Sequence, residues 1–208
     1  MNNLRQLYKE KNKYEADLLA SGFKFIAGVD EVGRGPLAGP VTVAAVILDP
    51  KKPIYGLKDS KKLSSKKIEE LSNQIKQDAL AYAIVSATPS TIDKIGISVA
   101  IHKCMRTAIR KLSITPDYVL IDHEYLKFNK IESKAITKGD DNSNSIAAAS
   151  IIAKYARDTK MEKLGIKYPE YGFENHVGYG TKHHRETIEK LGPIPNVHRY
   201  SFKPIRKD

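Results

Sequence analysis

The stretch from Ile26 to Pro40, IAGVDEVGRGPLAGP, constrains this chain more than any other. A run of strand character, Lys24 to Asp30, ends in two adjacent carboxylates, Asp30 and Glu31. A tight glycine loop with one arginine, Arg34, follows at once. Gly39 to Leu48, GPVTVAAVIL, is β-branched and almost wholly apolar, which predicts a second, buried strand. Carboxylates at a strand end, beside backbone exposed by glycine, suit a hard divalent cation next to a phosphate. Successive residues of a regular strand point to opposite faces, so gathering Asp30 and Glu31 at one site requires a twist or a strand end there.

Gly33-Arg34-Gly35-Pro36-Leu37-Ala38 formally matches a dinucleotide-binding fingerprint. That fingerprint needs a helix immediately afterwards, and Pro36 and Pro40 lead here into a strand, so a Rossmann site is excluded. What survives is a loop whose amides can approach a sugar-phosphate backbone, with Arg34 as its anchor. Lys and Arg total 35 against 24 Asp and Glu, a formal charge of +11, which favours a polyanionic partner. A basic surface kept for solubility accounts for the same excess. Cys104 is the single cysteine, which excludes an internal disulfide, and it falls on the apolar side of a helix. The N-terminus lacks a cleavable signal pattern, and no apolar run approaches the ~18 residues of a membrane span. A soluble, cytoplasmic chain with no membrane partner is expected, with a monomer as the default.

Residues 3–20 have helical character, closed by Gly22. Helices are also expected over 64–77, over about 90–112 from a Ser90-Thr91-Ile92-Asp93 start, over 145–164 with Gly165 as the stop, and near 181–191. The stripe assigned to the helix over 90–112 is Ile92, Ile95, Val99, His102, Met105 and Ile109. Further strands are expected at 79–88, 117–122 and 133–137. Strands first, then alternating helices and strands, imply an α/β fold with a mixed sheet and helices on both faces.

Asp122 ends the strand DYVLID as Asp30 ends the first, and Asp140 lies in a loop before the Ala-rich helix. If the two strands are adjacent, Asp30, Glu31 and Asp122 share one edge and Asp140 closes the group. Such a set can hold two Mg²⁺ or Mn²⁺ ions ~4 Å apart. Each aspartate taken singly also reads as a turn or cap residue. Lys58-Asp59-Ser60-Lys61-Lys62 fits phosphate binding by point charges, and an exposed basic turn explains it almost as well. His183 and His184 lack ligand-like spacing and are read as surface or nucleic-acid contacts.

Together these segments resemble the ribonuclease HII family from about Phe25 to Pro204. The motifs are AGVDEVGRGPLAGPV, GLKDSKKLS, VLID, KGD, SIAAASIIAK, YPEYGF and GYGT, in that order. The resemblance implies a ribonuclease H-like catalytic domain over 1–208, with an N-terminal helical extension (1–22) and a helical, substrate-contacting C-terminal region (168–208). It implies that Asp30, Glu31, Asp122 and Asp140 are the catalytic, metal-binding carboxylates, with Mn²⁺ or Mg²⁺ as cofactor. It also implies that Gly33, Arg34, Gly35, Lys58, Ser60 and Lys61 contact substrate, and that Tyr179 stacks on the sugar after the ribonucleotide. From its residues alone, Tyr179 is equally a surface turn residue. The implied substrates are RNA-DNA hybrids and DNA duplexes with embedded ribonucleotides, cut on the 5′ side to leave 3′-hydroxyl and 5′-phosphate ends. The implied role is removal of misincorporated ribonucleotides and primer RNA.

Two positions depart from the family pattern: His123 stands where Gly is frequent, and Val177 where Lys is frequent. The nearest rival is a ribonuclease HIII-like hybrid nuclease, which carries a sizeable domain before its Asp-Glu pair, against 29 residues before Asp30 here. The rival from another class is a non-catalytic hybrid-binding module, which has no need of four intact carboxylates.

Overall fold

In the computed structural model, residues 2–123, 126–128 and 130–205 are described. Helices α1 (Asn2–Lys11) and α2 (Lys13–Ala20) precede strands β1 (Ile26–Val32) and β2 (Val41–Ile47). Next come α3 (Ser65–Asp78), β3 (Ala81–Ala87), α4 (Pro89–Ile95), α5 (Ile97–Lys111), β4 (Tyr118–Asp122) and β5 (Glu132–Ile136). The chain continues through α6 (Gly139–Asn142), α7 (Asn144–Lys167), α8 (Phe173–His176) and α9 (Lys182–Leu191). The sheet order is β3-β2-β1-β4-β5. β1, β2 and β3 pair antiparallel, whereas β4 lies parallel to both β1 and β5. The expected mixed sheet with helices on both faces is what forms.

The side-chain alternation of β1 and β2 explains the layering. Ala27, Val29, Val43 and Ala45 face α5, while Ala44 and Val46 face α3 and α7. β2 is buried along its whole length, which is why its sequence is apolar without alternation. Gly28 lies on the α7 face, where a Cβ would overlap the Ser145 carbonyl and the Ile146 nitrogen. Sheet and helix therefore approach at backbone contact, two residues before Asp30.

Several boundaries differ from the expectation, each for a local reason. β1 runs past Asp30 to Val32, still paired with β2 through Val32–Thr42, but its pairing with β4 stops at Val29–Ile121. The expected helix over 90–112 is two helices, broken at Gly96 with φ 80°, and its cap is Thr88 rather than Ser90, with Pro89 in the first turn. Because the break resets the phase, Val99 is exposed, and Ala100, Ile101, Cys104, Met105 and Ala108 fill the buried face. Asp140 sits in the short helix α6 rather than in a loop. Gly165 does not stop α7, which continues to Lys167. A Cβ at Gly165 would crowd Glu174, so this glycine serves close packing against α8.

The C-terminal region has its own core, in which Phe173 packs against Tyr171, His176, His184 and His198. His184 is thus buried at 0% exposure, not a surface residue as expected, while His183 is exposed. Burial pushes the His184 and His198 pKa values down to about 4 from the ordinary 6.5. The folded state favours neutral rings, so their stabilisation is present above pH 6.5 and is lost as pH falls through about 4. Calorimetric unfolding between pH 7 and 4 is expected to show a falling midpoint, with a slope of up to about 1.4 kcal/mol per pH unit for each ring. Replacing His184 with Asn is expected to flatten that slope.

Candidate active site

A cleft of about 230 Å³ opens at the C-terminal ends of β1 and β4. Asp30, Glu31, Asp122 and Asp140 line it together with Gly33, Arg34, Gly35, Ser60, Lys61 and Tyr179. Lys58 is the one expected site residue that does not line it. The end of β4 pairing at Val29 opens β1 on the side facing Asp122, while β2 keeps the other side straight. Hence Asp30 and Glu31 reach one cleft although the strand continues.

Asp30 is 6% exposed and accepts from the Glu31 N–H at 2.7 Å. Burial first, then the Glu31 and Asp122 carboxylates, raise its pKa well above the ordinary value. Burial and the Asp59, Asp122 and Asp141 charges likewise raise Asp140. Asp122 Oδ1 accepts from the Gly139 N–H at 2.6 Å, which docks the Asp140 turn beside it. This crowding of carboxylates is the electrostatic condition a cation relieves.

An all-oxygen donor set beside a basic loop suits Mg²⁺ or Mn²⁺. Among the described residues, no three His, Cys, Asp or Glu side chains form a closed metal-binding group. An open site fits such ions, because Mg²⁺ binds through one or two carboxylates and fills its sphere with water and substrate phosphate oxygens.

The glycine loop is held from below by a buried arginine. Arg199 donates to the carbonyls of Gly33 at 2.6 Å, Arg34 at 3.0 Å and Gly39 at 3.0 Å. In a trans peptide the C=O and the following N–H lie on opposite edges. Drawing the Gly33 and Arg34 carbonyls onto Arg199 therefore turns the Arg34 and Gly35 amides away from it. Burial, and after it the Arg157 charge, pull the Arg199 pKa down to about 9, which leaves the guanidinium charged at neutral pH. Arg157, also fully buried, donates to Pro40, Ala38 and Val177 carbonyls, while its Nη1 is buried with no hydrogen-bond partner among the described residues.

Ser60 Oγ lies 3.1 Å from Ser150 Oγ, and Ser150 lines the cleft with Asp30. Lys154, one turn on, lines the cleft. Tyr179 is 46% exposed, and the space above Gly35 ends at its ring. The two departures from the family pattern both have left-handed backbones: His123 at φ 57° and Val177 at φ 42°. Glycine adopts that conformation freely and His tolerates it, whereas β-branched Val177 is strained.

Sequence reasoning missed Lys11, Arg157 and Arg199. Lys11 is 4% exposed and donates to the carbonyls of Leu57 at 3.0 Å and Asp140 at 2.6 Å. It ties α1 to the Asp140 turn and to the segment before Lys58. Lys in a mixed-charge helix carries no sign of burial, so no local signal marked it. Lys11→Met leaves both carbonyls without that donor, at a cost of about 1–3 kcal/mol. The unfolding temperature is expected to drop by roughly 2–12 °C and cleavage by about 10-fold or more. Unchanged cleavage with a lower unfolding temperature would limit Lys11 to stability.

The family model described as Ribonuclease HII matches residues 27–205. The Ribonuclease HII of Bacillus mycoides (strain KBAB4) is 50% identical over 202 residues, covering 97% of this chain and 78% of that protein. That of Bartonella henselae (strain Houston 1) is 50% identical over 201 residues, covering 96% and 90%. Among solved structures, the ribonuclease H2 from Pyrococcus horikoshii OT3 is similar with a TM-score of 0.76 at 28% identity, covering 88% of this chain and 96% of that one.

Proposed function

The chain belongs to the ribonuclease HII family, a divalent-metal-dependent group of ribonucleases H, and we propose that its cleft cuts on the 5′ side of ribonucleotides in hybrids and in duplex DNA. The observation that carries this reading is one cleft holding Asp30, Glu31, Asp122 and Asp140 beside the 33–35 loop and Tyr179. The four carboxylates would hold Mg²⁺ or Mn²⁺, which supplies Lewis-acid activation of water and neutralises the departing 3′ oxygen. No histidine base is required, and the products are a 3′-hydroxyl and a 5′-phosphate.

The remaining steps belong to the protein. The outward amides of Arg34 and Gly35 meet the 2′-hydroxyl, the group that separates RNA from DNA. Arg34 itself, together with Lys61 and Lys154, offers positive charge to the phosphates around the scissile bond. Tyr179 closes the loop side by stacking on the next sugar. Lys58 lies outside the cleft lining and serves at most a flanking phosphate. The enzyme acts as a monomeric catalytic unit on cytoplasmic nucleic acid, removing misincorporated ribonucleotides and primer RNA. No helix of the described residues is long and apolar enough to cross a membrane.

The test is cleavage of an end-labelled DNA duplex carrying one ribonucleotide, beside all-DNA and all-hybrid duplexes, with Mg²⁺, Mn²⁺ or EDTA. A metal-dependent cut 5′ to the lone ribonucleotide is expected. Cleavage of the hybrid alone moves the assignment to a ribonuclease HIII-like preference, and binding without a cut leaves a binding module.

A further inference from the structure

Residues 176–179 present each backbone carbonyl to a specific donor. His176 O accepts from the Tyr179 N–H at 2.9 Å, Val177 O from Arg157 at 2.8 Å and Gly178 O from the Leu37 N–H at 2.8 Å. Tyr179 O accepts from the Thr181 N–H at 2.8 Å and from His184 Nδ1 at 2.9 Å. The last is a side-chain donor from the first turn of α9, buried at 0% exposure.

The hydrogen bonds around that ring admit one proton arrangement. A carbonyl only accepts, so His184 Nδ1 carries the hydrogen and its Nε2 is the acceptor in the neutral ring. His198 Nε2, 3.1 Å from His184 Nε2, must then donate. Its own Nδ1 accepts from the Ile194 N–H at 2.8 Å, which is the tautomer this requires. The chain Ile194 N–H, His198, His184, Tyr179 O thus runs in one direction through two neutral rings. Phe173 packs edge-on against His184 at 5.4 Å between ring centroids and leaves the pair little room to turn.

We propose that His184, locked in its tautomer by His198, is a positioning residue that fixes the Tyr179 backbone and so the attitude of the tyrosine ring over Gly35. The proposal rests on the reading of Tyr179 as the group that grips the sugar after a ribonucleotide. A grip on a non-reacting sugar is made equally before and during the reaction, so its loss raises KM and spares kcat.

Two variants of similar burial separate positioning from packing. The Asn amide nitrogen stands near the place of His Nδ1, so His184→Asn keeps a donor for Tyr179 O and loses the His198 partner. The Gln amide stands near the place of Nε2, so His184→Gln keeps the His198 partner and loses the donor to Tyr179. With full-length enzyme, Mg²⁺ and the single-ribonucleotide duplex, His184→Gln is expected to raise KM by about 2–10-fold, the worth of one hydrogen bond. His184→Asn is expected to recover most of that loss. In a Tyr179→Ala background the Gln substitution is expected to add nothing, since coupled residues are not additive. Equal losses in the Asn and Gln variants, or an undiminished Gln effect without Tyr179, would overturn the proposal. A Tyr179→Ala variant with unchanged KM would overturn instead the reading of Tyr179 on which it rests, and the positioning role falls with it.

Discussion

Asp122→Asn is expected to reduce cleavage of a single-ribonucleotide duplex by about 10³-fold or more, with affinity for that duplex within about twofold. The loss follows, on the proposed reading, from removing one anionic oxygen from a site whose cation would contribute several kcal/mol of transition-state stabilisation, at 1.36 kcal/mol per tenfold in rate. Local structure is spared, because the Asn carbonyl oxygen still accepts from the Gly139 N–H that Asp122 Oδ1 now holds at 2.6 Å. On the proposed reading, affinity rests on Arg34, Lys61 and the backbone of the glycine loop rather than on carboxylates, and is expected to be spared. Asp122 also helps to raise the pKa values of Asp30 and Asp140, so the variant relieves repulsion. Its unfolding temperature in EDTA is expected to be equal to or higher than that of the parent. Single-turnover cleavage, fluorescence anisotropy and calorimetry read these three quantities. Undiminished cleavage would remove Asp122 from the chemistry.

Gly28→Ala carries the second large effect, on the fold itself. The added methyl would occupy the place of the Ser145 carbonyl and the Ile146 nitrogen. These are backbone atoms of α7, so relief requires moving a 24-residue helix away from β1. Overpacking of a core costs about 1–3 kcal/mol where side chains give way, and a backbone collision belongs at or beyond the upper end. The unfolding temperature is expected to fall by roughly 10 °C or more, by about 2–4 °C per kcal/mol, or the protein to be recovered insoluble. A change under about 2 °C would mean that the helix seats less closely than described.

The carboxylates were legible because each lies at or beside the end of an apolar run, and parallel neighbours put such ends on one edge. Asp30 and Asp122 needed only the β1–β4 adjacency, which two short apolar strands made a natural guess. Asp140 was legible from its place before the Ala-rich helix, though not that a helical turn would carry it. Glu31 was less so, since the opening at Val29 depends on β4 ending while β2 continues. Long-range supports left no local trace. Arg199 reaches Gly33 across 166 positions and Lys11 reaches Asp140 across 129, and neither reads differently from a surface cation in its own segment. Gly165 and Gly96 show the same limit from the other side. One looked like a helix stop and is a packing contact, while the other broke a helix whose apolar spacing ran through it.

Helix α7 finally sets a length. Ser150, Lys154, Arg157 and Met161 follow one stripe of it. Ser150 lines the cleft with Asp30, Arg157 holds the Pro40 and Val177 carbonyls, and Met161 packs under Gly39 and Gly178. Seven residues separate Ser150 from Arg157, about 10 Å and close to two full turns. On the proposed reading the stripe acts as a ruler, gauging the separation of the four carboxylates from Tyr179. One inserted residue between positions 150 and 157 would lengthen it by about 1.5 Å and swing Arg157 by about 100°. On that reading, helical pitch sets the place of the cut relative to the ribonucleotide.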